Sequence, residues 1–251
     1  MKASVWRLLS LGVLAIFVAL WAEIAALKLL PPLFLPTPAR TLTALIAGFA
    51  RGDLGAKLEG TLAHMSLGWL AASLAGVALG GLIGSSARAR ALIGPTLEFL
   101  RPLPASAVIP VAIAMFGLTP GMAIGVIAFG SIWPMLLATV HGFAHVEPRL
   151  IEVARALGLS RLSAAVKIAL PAALPDILAG LRLGLTVALI LSVVCEMIAG
   201  LDGLGAWELV AARAYRSPDI FAGVILLGAI GFAANAALSL IEARALRWRG
   251  R

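Results

Sequence analysis

The chain has 251 residues, 61% hydrophobic and only 13% charged, with a mean hydropathy of +1.04; soluble domains average about 25% charged residues, so this is an integral membrane protein. At about 20 apolar residues per spanning helix, the length holds about five to seven spans and leaves no room for a large soluble domain. The net charge of +8 is dispersed between apolar runs with no interleaved aromatics, which argues against nucleic acid as a partner and makes charge a determinant of topology.

The first span is predicted at about residues 8–27, entered from a side marked by Lys2 and Arg7. Its apolar core exceeds the roughly 7–15 residues of a secretory signal and no small-x-small cleavage site follows, so it is read as a retained helix. Glu23 lies near its far end. Leu29–Arg40 carries Pro31, Pro32, Pro36 and Pro38, too many to continue a helix, and Thr37 or Thr41 is placed to begin a short interfacial helix toward Phe49. The second span, about 62–84, repeats Gly76, Gly80 and Gly84 every fourth position, a stripe along which another helix can approach closely. A loop, Ser85–Ala91, holds Arg88 and Arg90. Beyond it Pro95, Pro102, Pro104 and Pro110 interrupt a third span ending at about 117. Broken helix is tolerated in a membrane only where protein or a watery cavity covers the freed backbone, so this span is predicted to be central. Glu98 and Arg101, three apart beside the break, are expected to pair with each other or to line a pathway.

The fourth span, about 120–141, leads to His141 and His145. Four apart on a helix, they face one side, but HGFAH lacks the glutamate of the zinc-protease pattern and a third ligand, so interfacial histidines are expected. Residues 147–171 then carry Glu152, Arg155, Arg161 and Lys167 at spacings a bilayer does not accept without partners, and are read as a water-exposed helical hairpin. Arg149, Glu152 and Arg155 recur every third position, so Glu152 is expected to pair one turn away. Gly158 makes the turn. Ser160 caps a second helix with Leu162, Ala165, Val166 and Ala169 on its apolar face, predicted to end at Pro171.

The fifth span, about 177–198, has Gly180 and Gly184 spaced for close packing and Arg182 toward the hairpin. Cys195, the only cysteine, permits no intramolecular disulfide. Glu196, costly to bury in a membrane, is read as a structural or gating residue rather than a solute-binding one. A polar excursion, 200–219, winds around the Gly203–Gly205 turn, and a sixth span, about 220–241, precedes a basic tail. Thirteen Lys and Arg fall on the side of the N-terminus, the 85–91 loop, the hairpin and the tail, against six on the other, Arg101 being unassigned. The positive-inside rule puts both termini and the hairpin in the cytoplasm.

These stretches carry a resemblance. RPLP (Arg101–Pro104), Ile109–Pro110, FGLTPG (Phe116–Gly121), EPRLIEVARALGLSR (Glu147–Arg161), LPAALPDILAGLRLGL (Leu170–Leu185), EMIAG (Glu196–Gly200) and GLG (Gly203–Gly205) together resemble the permeases of binding-protein-dependent ABC importers, in the branch serving sulfonate, taurine and nitrate. Glu152, Ala154, Gly158, Ile168, Leu170 and Pro171 fall at the positions of that family's EAA loop, with Val153 where alanine is usual.

The resemblance implies one all-α domain over residues 1–251, with its core at 60–245 and a type I importer (MetI-like) permease fold of about six spans in the bacterial inner membrane. It implies ATPase coupling through Glu152, Ala154, Arg155, Gly158, Leu159, Ser160, Ile168, Leu170 and Pro171, docked on a separate subunit. Glu98, Arg101 and Glu196 become candidates for pathway or gate. The implied partners are a second permease copy, two cytoplasmic ATPase subunits holding ATP and magnesium, an extracytoplasmic binding protein and membrane lipid, with no cofactor in this chain. The implied cargo is a small oxyanion, a sulfonate such as taurine first, nitrate or a heterocyclic vitamin precursor next.

The residues alone leave two other classes open. An ion-coupled secondary transporter is one, although inverted repeats are not evident. An intramembrane enzyme is the other, resting on His141, His145 and Glu196; Ser85, Ser86 and Ser160 have no histidine and carboxylate in a recognisable catalytic pattern. None of the four lysines follows a glycine, so no phosphate-cradling Gly-Lys loop is present.

Overall fold

In hydrocarbon each backbone N–H and C=O needs a partner within its own segment, which favours helices. The computed structural model describes residues 2–50 and 52–250, with side chains at 9, 12–50 and 52–248, and among these residues there are helices and no strand. In chain order they are α1 (Lys2–Ala26), α2 (Pro38–Ala50), α3 (Asp53–Gly84), α4 (Ala87–Leu100), α5 (Ala105–Phe116), α6 (Pro120–Ala144), α7 (Pro148–Ala156), α8 (Arg161–Ala164), α9 (Leu170–Ala199), α10 (Leu204–Arg213) and α11 (Ser217–Ala245). The side chains of Lys2, Arg7 and Arg249, and all of Arg51 and Arg251, which enter the charge count above, lie outside the described residues.

The core is α3, α6 and α9 in mutual contact. The glycine stripe of α3 is the reason: a Cβ on Gly76 would meet Met135, on Gly80 Thr139 at 2.6 Å, and on Gly84 Phe143 at 2.7 Å, so the two helices run parallel at close approach. Helix α9 runs the other way, with Gly180 against Ala138 and Pro134 and Gly184 against Met135. Helix α9 also packs on α3, α10 and α11. The described side chains of α1 are largely exposed, and the helix is anchored where the Trp21 Nε1–H donates to the Pro36 carbonyl at 2.9 Å and the ring stacks on Phe221. The predicted interfacial helix is α2, preceded by Thr37, whose hydroxyl accepts from the Arg40 N–H at 3.4 Å.

Among the described residues, four helices are long and apolar enough to cross a membrane, namely α3, α6, the run Arg161–Ala199 and α11; α4 with α5 would make a fifth. The predicted first span falls on α1, whose apolar part among the described residues is Gly12–Ala26. Other expectations are corrected. Arg88 and Arg90 belong to α4 rather than to a loop, since Ser86 caps that helix by accepting from the Ala89 N–H at 3.3 Å. The third passage is half central: α5 buries Ile109 and Ala112, but α4 buries nothing and turns away by 86° at Arg101–Pro104.

The hairpin's second helix does not end at Pro171. Arg161–Ala199 is one helical run of 39 residues that passes through a wide turn at Ala165–Ala169, where the Leu170 N–H donates five residues back to Ala165. A proline ring collides with the carbonyl four residues earlier, and a π-type turn moves that carbonyl aside. Pro171, in the first turn of α9, therefore marks a change of pitch instead of a stop.

Candidate functional site

Three places hold the predicted site residues. The first is the hairpin. Pro148 opens α7, Ala154 is its one buried residue, and Gly158 follows with φ +65°, a left-handed conformation that other residues adopt only with strain. The Gly158 N–H donates to the Arg155 carbonyl and the Leu159 N–H to that of Ala154, both at 3.0 Å, closing the helix end. The Ser160 hydroxyl accepts from the Ser163 N–H at 3.2 Å, the predicted cap. Ile168 and Leu170 are half-buried and Pro171 exposed. The expected ion pair of Glu152 is absent: Glu152 and Arg155 are exposed, and among the described residues neither has an oppositely charged partner within 4 Å. Beside them Val153, Leu157 and Leu162 are half to three-quarters exposed. Apolar side chains gathered on a polar projection mark a surface for a protein partner.

The second is a cluster around Glu196, wholly buried at the end of α9 away from the hairpin. The Thr61 hydroxyl donates to Oε2 at 2.9 Å, the Gly205 N–H donates to the same oxygen at 3.0 Å, and His64 Nδ1 lies 3.1 Å from Oε1. Thr61 Oγ1 in turn accepts from the Leu204 N–H at 2.8 Å. The first amides of a helix have no intrahelical acceptor, so the carboxylate and Thr61 together cap α10 and bind it to α3 and α9. This explains Gly-Leu-Gly: a Cβ on Gly203 would lie 2.1 Å from the Glu196 carboxyl carbon, and one on Gly205 2.3 Å from the Val193 carbonyl oxygen. The structural reading of Glu196 thus has its geometry. Sequence reasoning misses Thr61 and His64, whose one signal is that they are polar residues three apart on the stripe that continues through Gly68 and Gly76.

Glu208 of α10 is nearly buried beside this cluster, with Oε1 lacking a hydrogen-bond partner among the described residues and Gly223 of α11 against it. Burial, and then the Glu196 carboxylate, push its pKa up to about 7. A raised carboxyl pKa means the folded state holds a proton the unfolded state has released, so this contribution is present below about pH 4.5 and is lost as pH rises through about 7. Glu208→Gln is expected to remove that part of the decline, flattening the melting temperature between these limits and raising it above wild type at pH 8. Parallel melting profiles for the two proteins would refute this.

The third is a groove of about 790 Å³ between the α4–α5 break, α6 and α9, lined by Arg101, Ser106, Trp133, Pro134, Val187 and Leu191 among others. Arg101 and Glu98 are both exposed and do not pair, contrary to expectation. His141 and His145 stack on each other, and His141 Nδ1 lies 3.6 Å from Asp176 at the hairpin end of the bundle. Glu196 is far along the chain's long helix from them, so the three residues of the enzyme reading do not form one site.

The chain's residues 69–247 match the family described as binding-protein-dependent transport system inner membrane component. The chain belongs to this family of ABC importer permeases. The permease is 32% identical over 247 residues to the taurine transport system permease protein TauC of Escherichia coli (strain K12), covering 96% of this chain and 90% of that one. It is 32% identical over 188 residues to the nitrate import permease protein NrtB of Leptolyngbya laminosa, covering 75% and 67%. A solved structure of an amino acid ABC transporter with histidines shares its fold, with a TM-score of 0.59 and 22% identity over 82% of this chain and 96% of the other. The permease is thus an all-helical, multi-pass membrane protein of MetI-like fold and a transport component.

Proposed function

We propose that this permease is the translocating subunit of an ATP-driven importer that accepts a small oxyanion, a sulfonate such as taurine first and nitrate second, from an extracytoplasmic binding protein. The observation that carries the reading is the hairpin's direct continuation into α9 through Arg161–Ala199, which joins an exposed docking surface to the core of the bundle without a flexible link. Two permease copies work with two cytoplasmic ATPase subunits, which hold ATP and magnesium. Glu152 and Ser160 lie on or beside the surface that meets the ATPase, Arg155 and Leu159 stand behind it on the side of the cleft toward the bundle, and Ala154, Gly158, Ile168, Leu170 and Pro171 fix its shape. Unpaired, Glu152 is available to that partner. Glu196 holds the opposite end of the bundle.

Alternating access follows by rigid-body rocking: ATP binding draws the two hairpins together and opens the cavity outward, and hydrolysis reverses it. Arg101 supplies a cation at a helix break where polar groups need a watery or protein surface, and Glu98 stays free of it. The path binds weakly, since tight binding would slow release. The relatives named for taurine and nitrate support the cargo class. Both termini and the hairpin face the cytoplasm by the charge asymmetry; labelling of a Ser160→Cys variant from outside, in a Cys195→Ala background, would overturn this.

The test is uptake by cells expressing the full complex, comparing radiolabelled taurine, nitrate and a pyrimidine precursor. Uptake of taurine or nitrate is expected, with a loss of about tenfold in Arg101→Ala, the effect of removing one charge-assisted contact. Uptake of the uncharged heterocycle alone refutes the anion assignment.

A further inference from the structure

A cleft of about 680 Å³ separates the hairpin from the ends of α3 and α6. Its polar rim is Ser85 and Ser86 from the α3–α4 turn with Arg155 of α7 and Arg161 of α8; its floor includes Phe143 and Ile168, and no acidic residue lines it. Among the described residues neither arginine has an ion-pair partner within 4 Å. Ser86 uses its oxygen to accept the Ala89 N–H, which leaves its hydroxyl hydrogen to donate. Nearby Arg90 is already committed to the Gly84 carbonyl, so the cations that face the cleft are Arg155 and Arg161. Helices α3 and α6 both end here, at Gly84 and Ala144, which puts the cleft where hydrocarbon gives way to water.

We propose that this cleft binds the phosphate headgroup of an anionic phospholipid, one per permease, between the hairpin and the bundle. Guanidinium groups match phosphate oxygens with parallel hydrogen bonds and keep their charge at any relevant pH. A soluble phosphate would satisfy the rim and leave Phe143 and Ile168 uncovered, whereas the glycerol and first methylenes of a lipid cover both. Basic pockets between helices on the cytoplasmic side suit such headgroups, because anionic lipid is at hand in that leaflet. The site rests on the reading above only in placing this end of the bundle at a membrane surface. A bound lipid would fill the space beneath the hairpin and fix its height over the bilayer.

Native mass spectrometry of the purified transporter complex, given an equal mixture of phosphatidylglycerol and phosphatidylcholine with the same acyl chains, tests this without measuring transport. Phosphatidylglycerol is expected to be retained about tenfold in preference, and Arg155→Gln/Arg161→Gln to abolish the preference, as loss of charge-assisted hydrogen bonds requires. Arg155→Lys/Arg161→Lys is expected to keep most of it. Equal retention of both lipids by the wild-type complex overturns the proposal, as does a Lys variant that loses the preference as fully as the Gln variant. A third arm adds millimolar inorganic phosphate: displacement of phosphatidylglycerol by phosphate alone would identify a free-anion site and overturn the lipid assignment.

Discussion

Glu196→Ala is expected to lower the melting temperature of the permease by about 10 °C, the equivalent of about 3–5 kcal/mol in a chain of this size. The carboxylate accepts from Thr61 and from the Gly205 N–H and faces His64, and it is wholly buried. Removing it leaves those groups without a partner in a dry site, each at a cost of about 1–3 kcal/mol. Relief of repulsion with Glu208 offsets part of this. Glu196→Gln retains a carbonyl oxygen for one of the donors and should lose less than half as much. The check is thermal unfolding of the purified complex followed by size-exclusion chromatography; an alanine variant melting within a degree of wild type would show that the cluster does not hold α10.

Gly158→Pro is expected to reduce uptake at least about tenfold while the complex still assembles and hydrolyses ATP. Proline holds φ near −65°, whereas Gly158 sits at +65°, and its N–H donates to the Arg155 carbonyl at 3.0 Å. The turn cannot form with proline, so the angle between α7 and α8 changes and the outward-facing side chains no longer present one surface. Gly158→Ala is a milder test, with a left-handed penalty of about 1–2 kcal/mol and no steric neighbour within 4 Å. Proteoliposomes containing the reconstituted complex give both readouts. Uptake within twofold of wild type in the proline variant would remove the hairpin from the coupling path.

Much of the fold is legible in the order of residues alone. The stripe Gly76–Gly80–Gly84 and the pair Gly180–Gly184 foretell the contacts that build the core, because the absence of a side chain is a statement about a neighbour's distance. Gly158 and Ser160 foretell a turn and a cap, which are local properties of a few residues. What residue spacing misses is non-local. Whether Glu152 pairs with Arg149 or Arg155 depends on competition with water and with a partner surface, and spacing alone does not decide it. Pro171 reads as a terminator until the wide turn that precedes it is known. The ligands of Glu196 come from α3 and α10, 135 residues and nine residues away in the chain, so only the assembled bundle brings Thr61 and the Gly205 amide to one oxygen. Glu98 and Arg101 lie one turn apart at the end of α4, but both are exposed, so water competes with the pairing that their spacing allows.

The unbroken run from Arg161 to Ala199 makes a rod of roughly 58 Å at 1.5 Å per residue. It meets α6 closely at three levels, Ala173 against Gly142, Gly180 and Gly184 against Ala138 and Met135, and Leu191 against Gly130. Contacts so spread leave no single pivot between the two helices. A push on the hairpin is therefore expected to move α9 and α6 together as one stiff lever, carrying the Glu196 clasp on α10 along intact.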